Sequence, residues 1–350
     1  MSFYPLFLRK RGIRPVLLLA VTCLALIGSV GEASAYPWMI RHHYTACSTC
    51  HTDPSGGGQL TRYGRLTGDV LLSTQYGSQE SRKKEPKQGF LWGAVQTPDA
   101  LLLNTSFRNL YIYRPGNEGD RFVYIPVMQL DGGGEVRFGQ FFAGGTIGLG
   151  KVREGVTFGR AAQVTTNQGG EMNLLARKFY VGLNLGQEWI LRAGRLNLPF
   201  GIRIPEHTMW VRQATRTDIE SQQQYGVAAA YVGDNVRAEV MAIVGNYQVN
   251  PDTFRERGYS LLIEGIGGSS FAAGISSKVT YAGTDRLTFE ENTVRQAHGV
   301  TARWGPTKSL GFLFEMDALF RSKADAGYVG YLQTDYEPIQ GLHFMATGEI

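Results

Sequence analysis

Five consecutive residues carry the clearest chemical signal in this chain: Cys47-Ser48-Thr49-Cys50-His51. Two thiols three positions apart, followed at once by an imidazole, form the C-x-x-C-H pattern of c-type haem attachment. On one short turn each thiol can make a thioether to a vinyl group of the same porphyrin, while the histidine faces the iron as proximal ligand. The expectation is one covalently attached haem c, with Cys47 and Cys50 holding the cofactor and His51 its metal. Two other chemistries would use the same residues. Zinc would need a fourth ligand, which His42 or His43 could supply. A thiol redox pair expects a βαβ surrounding, and no such pattern follows.

The second axial ligand has three local candidates. No methionine occurs between His51 and Met128, which removes a downstream Met from this small segment. Upstream lie Met39, His42 and His43. His42 is the preferred candidate, which would give bis-imidazole ligation and a lower potential than His/Met; Met39 and His43 are the alternatives. After the motif, Thr52-Asp53-Pro54-Ser55-Gly56-Gly57-Gly58 is turn chemistry. Gln59 to Leu72 reads as a short helix carrying Arg62, Tyr63 and Arg65. Arg62 and Arg65 are candidate partners for haem propionates, against the plainer reading of a solvated helix face.

The elements around the motif divide the chain. Residues 1–35 read as a signal peptide: Arg9, Lys10, Arg11 and Arg14 precede an apolar run from Val16 to Val30, and Ala33-Ser34-Ala35 is a small-residue cleavage site. That apolar run is shorter than a spanning helix needs. Residues 36–75 form the haem-binding segment, too small to build much apolar core unaided. Residues 76–88 are charged, lack hydrophobic periodicity and read as a linker.

Over residues 89–350 the pattern changes to period two. Val236, Ala238, Val240, Ala242 and Val244 alternate with Arg237, Glu239, Met241 and Ile243. Phe312, Phe314, Met316, Ala318 and Phe320 alternate with Leu313, Glu315, Asp317, Leu319 and Arg321. Strands of about ten residues with one apolar and one partly charged face are the signature of a transmembrane barrel. The expected fold is mainly β, an antiparallel transmembrane β-barrel of about 14 to 16 strands with a small N-terminal haem segment. Asp131-Gly132-Gly133-Gly134 and Gly233-Asp234-Asn235 read as turns. Tyr111, Tyr113, Trp189, Trp304 and Tyr336 fall near strand ends, where membrane barrels carry aromatic girdles. A soluble β-sandwich or propeller is the competing architecture. The stretch from Pro199 to about Gln224, with Arg203, His207, Met209, Trp210, Arg212 and Arg216, breaks the alternation. It reads as a surface loop, the alternative being a loop folded into the lumen.

Composition excludes several classes. The 45 glycines among 350 residues, with 17 Tyr and 18 Phe, fit strands and turns better than a helical bundle. Four of the 35 basic residues sit in the signal peptide, so the remaining charge is nearly balanced and nucleic acid is not an expected partner. No hydrolytic triad or phosphate loop has supporting context, which points to a redox carrier rather than a conventional enzyme.

A signal peptide, one C-x-x-C-H soon after it and a porin-like remainder together resemble the outer-membrane monohaem cytochrome–porin fusion family of iron-oxidising bacteria. The stretch Arg195 to Gly201, RLNLPFG, is also similar to a strand-end pattern of general porins. That resemblance implies location in the bacterial outer membrane. It also implies electron movement between an extracellular donor or acceptor, such as a metal ion or mineral, and a periplasmic cytochrome c-like carrier. A porin-like solute channel with a haem-bearing plug, or a periplasmic haem-binding β-protein, are the alternatives.

Overall fold

The computed structural model describes residues 37–71, 90, 95–109, 111–114, 122–124, 127–151, 160–167, 172–204, 209–246, 248 and 254–350. The signal peptide and the 76–88 linker lie outside the described residues, as does His207.

Alternating polarity over long segments favours extended chain, and the structure is mainly β. In chain order the strands are β1 (Leu101–Asn109), β2 (Ile112–Arg114), β3 (Phe122–Tyr124), β4 (Val127–Phe138), β5 (Phe141–Lys151), β6 (Met172–Leu185) and β7 (Trp189–Leu196). They continue with β8 (Gln224–Val232), β9 (Val236–Gly245), β10 (Glu256–Gly267), β11 (Phe271–Thr284), β12 (Glu291–Thr307), β13 (Leu310–Arg321), β14 (Gly327–Ile339) and β15 (Leu342–Glu349). β2 and β3 pair as a separate ribbon, and the other strands form one 13-stranded sheet in the order β1-β4-β5 and onward to β15. Every pairing within that sheet is antiparallel. Among the described residues two α-helices, α1 (Arg62–Leu71) and α2 (Trp210–Thr215), precede and interrupt it.

Connections differ at the two ends of the sheet. At one end the chain turns within two or three residues, at 139–140, 186–188, 233–235, 268–270, 308–309 and 340–341. At the other end the connections are longer, notably 152–171 and 197–223. The Gly233-Asp234-Asn235 turn is where the sequence puts it, between β8 and β9. Asp131-Gly132-Gly133-Gly134 is not a turn: it runs through the middle of β4, paired with both β1 and β5. The chain reverses instead at Gly139 (φ 60°). Asp131 is buried and ion-paired with Arg177 across the inner face, a partner too distant in sequence to read beforehand.

The sheet is inside out relative to a soluble domain. Along β9, Arg237, Glu239, Met241 and Ile243 are buried while Val236, Val240 and Val244 are exposed. Along β13, Leu313, Glu315 and Asp317 are buried and Phe314 and Phe320 exposed. The outward face carries Val181, Val227, Ile263, Ile275, Val300 and Leu332, a continuous apolar surface far larger than scattered exposed residues would make. Aromatics ring the short-turn end of that face: Phe138, Phe141, Trp189, Phe271, Trp304, Tyr336 and Phe344 are all exposed. A soluble sandwich or propeller buries its apolar face, so this polarity argues against either.

Two segments lie on the inner face. Residues 37–63 pack against it from the N-terminal side, with the turn Pro37–His42 against β12 and β13. The 197–223 connection is not the surface loop that its broken alternation suggests. Leu198, Phe200, Ile202, Ile204 and Val211 are buried. Its arginines meet inward acids: Arg212 with Glu315, and Arg216 with Asp285 (3.1 Å). Alternation is absent because the segment is not a strand; it folds inward because its cations find partners on a charged wall.

Candidate functional site

The Cys47–His51 stretch forms one tight turn. The His51 amide donates to the Cys47 carbonyl at 2.9 Å and the Cys50 amide to the same oxygen at 3.1 Å. Two thiols and an imidazole therefore share a single reversal of chain, the arrangement the motif requires. Cys50 and His51 are buried, and Cys47 is partly exposed. Burial, and then the neighbouring Cys47, pushes the Cys50 thiol up to about 11. That is the opposite of the lowered value expected of an exchange-active thiol.

The glycines after the motif are functional in shape. Gly56 has φ of 90°, and a Cβ there would meet Cys47 Cβ at 3.0 Å and Sγ at 3.2 Å. The chain can close over the cysteine only because that atom is missing. Further upstream, a Cβ on Gly305 of β12 would stand 2.4 Å from Arg41 Cα, so the segment lies backbone against the wall there.

Charged groups pin the motif to the strands. Asp53 accepts from Arg203 (2.8 Å), Arg192 (3.4 Å) and Asn197 (3.3 Å). Burial alone would raise its pKa, but Arg192, Arg203 and Lys178 outweigh it and hold the carboxyl well below the usual carboxylate range. Ser55 donates to Glu239, which also pairs with Arg192. Nearer the short turns, Arg41 pairs with Asp335 (3.3 Å) and Glu337 of β14. Removing one member of such a buried pair strands the other, at a cost of about 3–5 kcal/mol.

Beside the turn is a cavity of about 510 Å³, counting its open mouth. Cys47, Cys50 and His51 line it together with Met39, Tyr44, Gly56, Gly57, Gly201 and Ile202. Arg203, Arg237, Arg303 and Glu264 complete the charged side. Glu264 bridges Arg237 (2.5 Å) and Arg303 (2.6 Å), and Arg237 also hydrogen-bonds Cys47. The donor set, the glycine-lined wall and the guanidinium groups fit a flat, dianionic porphyrin tethered through both sulfurs.

The other sequence candidates lie elsewhere. Arg62 reaches the Thr97 carbonyl (3.0 Å) and pairs with Asp99; Arg65 donates to the Leu103 carbonyl. Neither lines the cavity, and Arg203, Arg237 and Arg303 stand where propionate partners were expected. Two of these sit on strands whose alternation turned them inward, and Arg203 sits in the irregular stretch already conspicuous for arginine. Of the three axial candidates, Met39 lines the cavity. His42 lies 3.8 Å from Glu337, with burial and then Arg41 lowering its pKa. His43 is exposed, with Nδ1 3.3 Å from the Ser269 carbonyl.

No known family profile matches the chain, and no curated protein matches it. Among solved structures it is similar to a loop-deleted form of OmpT, an outer-membrane protein of Vibrio cholerae, at 11% identity and a TM-score of 0.48. That match covers 72% of this chain and 82% of the other. It is also similar to the outer-membrane channel DcaP of Acinetobacter baumannii, at 12% identity and a TM-score of 0.36, covering 71% and 90%. At these values the likenesses add nothing to what the inverted sheet already argues.

Proposed function

We propose that this chain is an outer-membrane β-barrel whose lumen houses one covalently attached c-type haem, and that it moves single electrons between a periplasmic carrier and a donor or acceptor outside the cell. The observation that carries the reading is the C-x-x-C-H turn, pinned by Asp53 and Ser55 to a charged inner wall beside a basic cavity. An apolar outward face with aromatic residues at its rim suits lipid on the other side of the same strands.

Bound haem would supply a one-electron iron couple whose potential follows ligation and burial. The chain's own residues do the rest. Cys47 and Cys50 anchor the ring, His51 offers its imidazole to the iron, and Arg203, Arg237 and Arg303 offer charge to the propionates. The wall of strands separates the site from lipid.

Depth gives the reading a direction. Short turns face the periplasm in such barrels. Glu264 is three residues from the short-turn end of β10 and eight from its other end. With a strand rise of about 3.3 Å and a tilt near 40°, these separations are about 8 Å and about 20 Å along the axis. A periplasmic carrier would thus meet the haem edge closely, while the longer path outward runs through the 197–223 segment. A solute channel would need both inward segments to leave, against several buried ion pairs and two apolar clusters.

Replacing Cys47 and Cys50 by alanine tests the proposal. Wild-type protein extracted from membranes with detergent should keep haem through denaturing electrophoresis, and the double variant should lose it. In proteoliposomes, impermeant oxidants should reach the haem from either side, faster from the side of the short turns. Wild-type protein without covalent haem, or haem closed to outside reagents, would overturn the reading.

A further inference from the structure

Few of the cavity's lining atoms can bind iron. With haem bound, the two cysteine sulfurs would be consumed as thioethers and His51 would take one axial position. Glu264 is held between two guanidinium groups, and the Tyr44 hydroxyl lies 3.1 Å from that of Tyr63. Met39 is 4% exposed and carries the remaining neutral, soft donor in the wall. We propose that the Met39 thioether, rather than the imidazole of His42 or His43, is the second axial ligand of the haem. This rests on the haem reading above.

Placement separates the three candidates. The chain around His42 is fixed by Arg41, which pairs with Asp335 and Glu337 and donates to the Lys308 carbonyl at 2.9 Å, at the short-turn rim. His42 lies against the same Glu337, and His43 against the 268–270 turn. Bringing either imidazole to the cavity would require undoing those contacts. Met39 needs no such movement: it packs with Ile202, Ile204, Val211, Leu313 and Val329, and reaches the cavity from that cluster. Ile202 and Gly201 of the inward loop line the same cavity, so the loop that fills the lumen also backs the ligand. Thioether ligation opposite histidine raises the potential relative to two imidazoles. A carrier of this kind would therefore work at the higher end of the c-type range.

The rival explanation is that Met39 merely fills the core. Met39→Leu distinguishes the two, because it conserves volume and removes only the sulfur. The wild-type ferric protein should show the weak long-wavelength absorption band of thioether ligation. Met39→Leu should keep covalent haem and heat-modifiable mobility but lose that band. Met39→His should restore a low-spin spectrum at a lower potential than wild type. His42→Ala and His43→Ala should leave spectrum and potential unchanged. An unaltered Met39→Leu spectrum, or loss of the low-spin signal in His42→Ala, would overturn the assignment while leaving the haem itself in place. Absence of covalent haem from the wild type would overturn the haem reading and this assignment together.

Discussion

The two segments folded onto the inner face make an instructive pair. Residues 37–63 hold the thiols, the imidazole and the glycine turn, yet contribute little buried apolar mass of their own beyond Met39, Ile40 and Leu60. Residues 197–223 hold no cysteine, but supply Leu198, Phe200, Ile202, Ile204 and Val211 to the interior. One brings reactive groups and the other brings the packing that encloses them. Both are tied down by the same device, a charge on the segment meeting an opposite charge on an inward strand position. The difference teaches that a chemical motif too small to fold alone can borrow its core from a distant stretch with no motif at all.

The sharpest way to break the pairing is at Asp53, which touches both segments and the wall through Asn197, Arg203 and Arg192. Asp53→Ala should destabilise the seated segment by about 3–5 kcal/mol, the cost of stranding buried partners. The check is faster cleavage of the N-terminal segment by added protease in detergent, with the strands still heat-modifiable. Unchanged protection would show that apolar packing alone holds the segment.

The wall that both segments rest on is tested from its outer face. Val240→Arg, near the middle of β9, should cost about 2–4 kcal/mol in lipid, as a cation at the midplane of a barrel does. Folding yield against urea in vesicles measures it. A change of the same kind at the exposed turn residue Asp234, outside the apolar band, should cost close to nothing. Equal effects at both positions would remove the membrane-facing reading of that surface.

A smaller effect sharpens the contrast at the long-loop end. Burial would raise the pKa of Asp285, but hydrogen bonds from Arg295 and Arg216 outweigh it and hold the carboxyl below the usual range. A depressed folded pKa contributes stability that is complete above the unfolded value of about 4 and is lost as pH falls through the folded one. The tether of the 197–223 segment should therefore loosen only in strong acid. Asp285→Asn should flatten the pH dependence of thermal unfolding below about pH 4 and leave it unchanged at neutrality.

Much of this arrangement was legible from local pattern. Period-two alternation on β9 and β13 separated the charged from the apolar positions correctly, because side chains on a strand must point to opposite faces. The C-x-x-C-H turn was legible because its chemistry depends on near neighbours. Arg62 and Arg65 were offered as propionate partners on closeness to the motif alone, which does not say which way a helix will face; in the structure they reach Thr97, Asp99 and Leu103. The glycine run of β4 was misjudged as a turn because glycine marks close approach as well as reversal. Arg237 and Arg303 were assignable to the inner face from alternation, but not to the cysteine turn.

By itself the sequence singled out a motif of the haem-attachment type and determined which strand positions would share a face, since both follow from spacing along a few bonds. Only the tertiary structure decided that the motif lies inside the sheet, that the irregular 197–223 stretch turns inward to meet it, and that Met39 reaches the cavity while His42 and His43 do not. Those outcomes depend on pairings such as Arg41 with Asp335 and Arg212 with Glu315. Partners separated by a hundred residues or more find one another through charge and exclusion of water, and no local pattern records that meeting.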